Sequence, residues 1–260
     1  MSASYLQRMF GLNHQVVVVI GGTGVLGGAL ADGLAQAGAH IVVAGRNRER
    51  GEARVDAIDA AGGKASFAEV DAGDRISMQA LLNDNVETFG RIHAVVNCAG
   101  VNSPTPYFDI EDEEFNRIVR GNLFATHLGC QIFGKHMVEA GGGAILNIGS
   151  VTSYRPLSRV FTYSATKAAV LNLTQNVARE LAPHKVRVNC LCPGFFPAEQ
   201  NRRILDETRT ASIMRHTPMH RFGEPEELVG AALLLLAPVA GSFMTGEAVY
   251  VDGGFTAMTI

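Results

Sequence analysis

Tyr163 and Lys167 stand four residues apart in the run FTYSATKAAV, a spacing that sets a phenol and an ammonium on one face of a helix, a single turn apart. A free phenol ionises near pH ~10 and exchanges protons poorly at neutrality. A cation about 4 Å away, at an effective dielectric of ~20, supplies about 4 kcal/mol towards the phenolate and brings proton transfer into working range. The pair therefore reads as a proton donor with its tuning charge, provided the rest of the chain supplies something to protonate.

The elements that must position this pair are legible as alternating apolar and amphipathic runs. Apolar stretches fall at 16–20, 41–44, 65–70, 92–97, 144–149, 186–192 and 248–251, and helical patterns at 26–38, 48–61, 75–89, 112–139, 161–181 and 225–236. Near-continuous Val/Ile runs indicate strands buried on both faces, and the spacing leaves room for a crossover helix in each unit. The expected fold is α/β: one doubly wound, Rossmann-type domain over 1–260, with a parallel seven-stranded sheet and helices on both faces. Ligands then belong beyond the carboxyl ends of the strands. The polar, Arg-rich stretch within 195–221 reads as a loop or lid over a site.

Directly after the first apolar run comes GGTGVLGG. Gly22, Gly24 and Gly27 fit G-x-G-x-x-G, and the run Gly21, Gly22, Thr23, Gly24, Val25, Leu26 and Gly27 sits at a strand-to-helix junction. There, backbone amides and a helix N-terminus receive a pyrophosphate. The second apolar run ends in Ala44-Gly45-Arg46-Asn47 with no acid to take a ribose 2′-hydroxyl. Arg46 is instead suited to a 2′-phosphate, with Asn47 beside it, so NADP(H) is favoured over NAD(H).

With these motifs in place the chain resembles the short-chain dehydrogenase/reductase family over nearly its whole length. The resemblance rests on the glycine turn, Asp71, the run Asn97-Cys98-Ala99-Gly100, Asn122, Ser150, Tyr163 with Lys167, and Pro193-Gly194. It implies that Asp71 and Ala72 border the adenine and that Asn97, Ala99 and Gly100 shape the cofactor groove. Pro193, Gly194 and Phe196 would flank the nicotinamide. It further implies that Asn122, Ser150, Tyr163 and Lys167 form the catalytic set, with Tyr163 as proton donor, Ser150 as hydrogen-bond donor to the same oxygen and Asn122 holding a water beside Lys167. The family pattern also implies a homodimer or homotetramer. Two positions depart from it: Cys98 stands where a second Asn is common, and the Thr expected soon after Pro193-Gly194 is replaced by Phe195-Phe196.

Around the open side of Tyr163 the chain is polar, and Asn102, Thr152, Arg155, Arg159, Glu199 and Gln200 are the candidate substrate contacts. That lining suits a polyhydroxylated molecule, and an Arg at 155 or 159 would pair with a carboxylate. The stretches PGFFPAEQNRR and DGGFTAMTI are similar to family members acting on mannonate or fructuronate, which points to a sugar acid or keto-sugar acid. Alternatives are a reductase of 3-oxoacyl thioesters on an acyl carrier protein, and a dinucleotide sensor without chemistry.

Composition narrows the partners. A net charge of −3 without a basic stripe argues against nucleic acid. No apolar run is long enough to span a bilayer and the first residues lack a hydrophobic signal core, so a cytoplasmic protein is expected. The four cysteines offer no second Cys-x-Cys pair for a metal site and read as reduced core thiols.

Overall fold

A computed structural model describes residues 4–196 and 206–258. Seven parallel strands form one sheet in the order β3-β2-β1-β4-β5-β6-β7: β1 (Val16–Ile20), β2 (His40–Gly45), β3 (Lys64–Glu69), β4 (Ala94–Asn97), β5 (Gly143–Ile148), β6 (Val186–Pro193) and β7 (Ala248–Val251). The chain winds outward from β1 to β3, then restarts at β4 on the other side of β1. The carboxyl ends of β1 and β4 therefore diverge at a topological switch point, where a doubly wound sheet leaves a crevice.

The strands form where β-branched residues are dense, and their side chains alternate between two cores. Val17 and Val19 pack with Leu30 and Leu34 of α2 (Val25–Gln36) and Leu235 of α9 (Val229–Leu236). Val16, Val18 and Ile20 face Met78 and Leu81 of α4 (Arg75–Phe89) and Leu128 and Phe133 of α6 (Ala125–Glu139). Each such side chain contributes roughly 1.5–3 kcal/mol when fully buried. The edge strands β3 and β7 are only half-buried, because each has a neighbour on one side alone.

The remaining α-helices among the described residues are α1 (Tyr5–Phe10), α3 (Arg48–Ala60), α5 (Asp112–Val119), α7 (Phe161–Leu181) and α8 (Glu207–His216). Two features differ from the sequence reading. The expected helix over 112–139 is interrupted by one π-turn, Arg120–Phe124, in which the Ala125 amide reaches back to the Arg120 carbonyl. The stretch read as a lid over 195–221 contains α8, whose N-cap Asp206 accepts the Arg209 amide at 2.7 Å. The part of that stretch carrying Glu199 and Gln200 lies outside the described residues.

Candidate active site

A cleft of about 590 Å³ runs along the carboxyl ends of β1, β2, β4, β5 and β6. One end is built by the glycine turn. Gly21 has φ +88°, and a side chain there would stand 2.7 Å from the Ala99 amide nitrogen, so the β1 turn can touch the β4 turn only through glycine. Gly24 meets nothing closer than the Gly21 carbonyl oxygen at 3.3 Å, and a side chain there would stand in the cleft. Gly24 is also the N-cap of α2 and offers no side-chain hydrogen bond. The first-turn amides of α2 therefore remain available to an anion, in the arrangement that receives a pyrophosphate.

Gly21, Thr23, Gly24, Val25, Leu26, Gly27, Arg46, Asp71, Ala72, Ala99 and Gly100 all line the cleft, as their sequence positions led us to expect. Arg50, in the first turn of α3, joins them. Arg46 precedes that helix, and the bend after β2 brings both arginines to the same space. Asn47 works from behind: its Oδ1 accepts the Arg50 amide at 2.8 Å and caps α3. Gly22 is buried against the Val19 carbonyl oxygen and Val43, where it shapes the turn.

Three other expected cofactor contacts are placed differently. Asn97, the last residue of β4, turns its side chain into the core, donating to Asn147 Oδ1 at 2.8 Å, and Asn147 donates to Thr174 Oγ1 at 2.9 Å. This buried chain of amides ties β4 and β5 to α7 and leaves Asn97 out of the cleft lining. Pro193 closes β6 as a strand residue, while Phe196 is buried in the core and packs against Gly223. Phe195 lines the cleft instead, held by an edge-on contact with Phe255 at 5.1 Å.

At the other end of the cleft lie Ser150, Tyr163 and Lys167. Ser150 follows β5 and starts a short 3-10 turn, Val151–Ser153. Its Oγ accepts the Thr152 amide at 3.2 Å, which leaves its own proton free to donate. Tyr163 is half-buried in the first turn of α7, and among the described residues its hydroxyl bonds to no protein group. Lys167 is only 5 % exposed; its Nζ donates to the Ile148 carbonyl at 2.7 Å and lies 5.6 Å from the centre of the Tyr163 ring. Burying an ammonium costs several kcal/mol unless it is compensated. One carbonyl and a ring face use only part of its capacity, and two of its three protons remain for a ligand's oxygens.

Asn122 sits fully buried in the π-turn. Its Oδ1 accepts the Val101 amide at 2.7 Å, and its Nδ2 donates to the Val101 carbonyl and to Thr166 Oγ1, each at 3.0 Å. Both amide protons are therefore committed, and the side chain splints the loop after β4 to the turn of α7 that carries Tyr163 and Lys167. The expected water-holding role does not fall to this carboxamide's donors. An extra residue in the π-turn is what rotates Asn122 inward, and π-turns recur at functional sites. Gly121 beside it was the only local hint in the sequence.

Among the expected substrate contacts, Asn102 and Thr152 line the cleft, and Thr152 Oγ1 is buried without a hydrogen-bond partner. Arg155 and Arg159 do not line it. Arg155 is exposed and stacks on Tyr154 at 4.8 Å. Arg159, in the left-handed region at φ +64°, turns away to pair with Asp206 at 2.7 Å. Arg209, which the sequence reading had not singled out, does line the cleft.

Two of the thiols, Cys98 and Cys130, are unsuited to proton transfer near neutrality. Burial pushes Cys98 up to about 11 and Cys130 up to about 12, values at which neither is a thiolate near neutrality. Cys190 and Cys192 are buried free thiols 3.7 Å apart, and among the described residues no cluster of His, Cys, Asp and Glu could hold a metal ion.

Comparison with known proteins gives this geometry a context. A family model described as enoyl-(acyl carrier protein) reductase matches residues 23–256. The uncharacterized oxidoreductase UxuB of Bacillus subtilis (strain 168) is 36% identical over 267 residues, covering 95% of this chain and 96% of its own. Gluconate 5-dehydrogenase of Gluconobacter oxydans (strain 621H) is 34% identical over 249 residues, covering 95% and 97%. The crystal structure of a gluconate 5-dehydrogenase from Burkholderia cenocepacia J2315, in complex with NADP and tartrate, superposes with a TM-score of 0.94. It is 31% identical and covers 98% of this chain and all (100%) of that one.

Proposed function

Because the chain belongs to the short-chain dehydrogenase/reductase family of oxidoreductases, we propose that it interconverts a secondary alcohol and a ketone on a sugar acid, using NADP(H). The observation that carries this reading is the single cleft that joins the glycine turn at one end to Ser150, Tyr163 and Lys167 at the other. A nicotinamide dinucleotide, when bound, supplies or accepts the hydride.

The chain's own residues do the rest. The amides of the glycine turn and of α2 hold the pyrophosphate, and Arg46 with Arg50 grips a 2′-phosphate; this pair is the support for NADP(H) over NAD(H). Lys167, steadied on the Ile148 carbonyl, directs its remaining protons to ribose hydroxyls, and its charge stabilises the phenolate left after proton transfer. In the reducing direction Tyr163 gives its proton to the nascent alkoxide, and Ser150 donates a hydrogen bond to the same oxygen as charge develops there. In oxidation the same two groups run in reverse. Asn122, by pinning Val101 to Thr166, keeps these groups in register.

The polar lining and the substrate-named relatives support a sugar acid. Two of the three relatives reported above are named for gluconate, so gluconate replaces mannonate as the first compound to try. Further relatives are named 3-oxoacyl-[acyl-carrier-protein] reductase, which makes a 3-oxoacyl thioester the second reading. Nicotinamide absorbance with NADPH or NADH and a panel of 5-keto-D-gluconate, D-fructuronate, D-fructose and acetoacetyl-CoA separates them. Turnover on the keto-sugar acids is expected; turnover on the thioester alone would overturn the reading.

Exposed small residues on α7, Ala165 and Ala168, beside exposed Phe124 and Phe161, support pairing of this face with a second copy as a homodimer or homotetramer. No described helix is long and apolar enough to cross a membrane. A cytoplasmic site of action matches a dependence on soluble dinucleotides.

A further inference from the structure

The cleft is strongly biased in charge: Arg46, Arg50, Arg117, Arg120, Lys167 and Arg209 line it against the acid Asp71. Most of these cations have work at the dinucleotide end. Arg46 and Arg50 flank Gly45, Arg120 lies beside Gly73 near Asp71, and Lys167 is seated on Ile148. Arg209 is different. It rises from the first turn of α8 to the loop between Ser150 and Tyr163, where Nη1 donates to Ser158 Oγ at 3.1 Å and Nη2 to the Ser158 carbonyl at 2.9 Å. The residues flanking Ser158, Leu157 and its near neighbour Val160, line the same cleft, so Arg209 belongs to the substrate side.

Asp206, the N-cap of α8, offsets part of the Arg209 charge, but both carboxylate oxygens are committed: one accepts the Arg209 amide and the other pairs with Arg159. Among the described residues no carboxylate lies within ion-pair distance of Arg209, and its Nε is buried with no hydrogen-bond partner. Burial, followed by the neighbouring Arg159 charge, makes the protonated form less favourable than in water. A guanidinium held in place on two nitrogens, half out of water and with no ion-pair partner among the described residues, gains from an anion that enters beside it. The second protons of Nη1 and Nη2, which Ser158 does not use, suit a carboxylate.

We propose that Arg209 anchors the substrate's carboxylate, holding the acid end of the sugar at the α8 side of the cleft while Ser150 and Tyr163 receive the reacting oxygen. The assignment rests on the sugar-acid reading above. Arg155 and Arg159 leave the role vacant, one stacked on Tyr154 in solvent and the other consumed by Asp206. Positioning α8 through Asp206 is then what Arg159 contributes.

The test compares D-gluconate with D-gluconamide, which keeps the hydroxyls and loses the charge, in wild type, Arg209→Ala and Arg209→Lys. Binding of NADPH, read by fluorescence titration, checks that each variant is folded and loaded. For Arg209→Ala the KM for gluconate should rise by about tenfold to a hundredfold, the range for losing a charged hydrogen-bond partner. The value for gluconamide should move less than about threefold, and Arg209→Lys should recover part of the gluconate loss. Equal losses on the two compounds, or an unchanged KM for gluconate, would overturn the assignment. A wild-type enzyme that ignores every sugar acid yet reduces acetoacetyl-CoA would remove the substrate reading itself, a failure visible before any variant is made.

Discussion

Ser150 and Lys167 are joined through one hydroxyl: Ser153 Oγ accepts the Ser150 amide at 3.2 Å and donates to the Lys167 carbonyl at 2.8 Å. The turn after β5 and the second turn of α7 are therefore locked together at the point where hydrogen-bond donor, phenol and ammonium must agree in position. Replacing Ser153 with Ala removes both bonds, at a cost of about 1–3 kcal/mol. We expect Ser153→Ala to lower kcat several-fold at an unchanged KM for the dinucleotide, with Ser153→Thr restoring part of it. Steady-state kinetics checks this, and a kcat equal to wild type would show that the bridge is structural only.

Arg46 and Arg50 line the cleft beside Gly45, where no acid competes for a 2′-hydroxyl. Arg46→Asp should invert the charge at that position and lower the preference for NADPH over NADH at least tenfold, about 1.4 kcal/mol. Arg50→Ala should lower it by a smaller factor. Comparing kcat/KM for the two dinucleotides measures both effects, and an unmoved ratio would remove these arginines from dinucleotide selection.

Two imidazoles accept backbone protons beneath the sheet: the Val16 amide donates to His93 Nδ1 at 3.0 Å and the Ile92 amide to His136 Nε2 at 3.1 Å. Those bonds require neutral rings. Burial first, then the nearby Arg91 charge, holds both histidines below the ordinary value of 6.5. The unfolded chain therefore takes up protons at a higher pH than the folded one. Their contribution to stability is complete above pH ~6.5 and is lost as pH falls through the lower folded values. Urea midpoints should drop between pH 7.5 and pH 5. In His93→Asn with His136→Gln, which keep acceptors at the same places without titrating, the drop should shrink; an identical pH profile would exclude these two groups as its source.

Much of the fold is written locally. Strands such as VVVVI announce themselves because β-branched residues buried on both faces leave no other economical arrangement, and the glycine turn follows from where the first of them ends. The trio Ser150, Tyr163 and Lys167 was legible because two members share a helix turn. What was not legible depends on geometry at a distance. The π-turn that turns Asn122 inward has no periodic signature strong enough to interrupt a helix pattern. Asn97 could be read as lining the groove until strand alternation put its amide into the Asn147–Thr174 chain. Arg155 and Arg159 looked suitable because they lie between Ser150 and Tyr163 in sequence. The positive φ of Arg159 sends it to Asp206, and the cation that reaches the cleft arrives from α8.

The account stands on Tyr163 as the proton donor, and Tyr163→Phe tests it most directly because it removes one oxygen from a half-buried ring and little else. With NADPH and 5-keto-D-gluconate, the variant should bind NADPH as wild type does in a fluorescence titration. Its turnover should fall by about 10²–10⁴, the range for losing a positioned general acid. A Tyr163→Phe enzyme that binds the dinucleotide and still turns over within a few-fold of wild type would contradict the account.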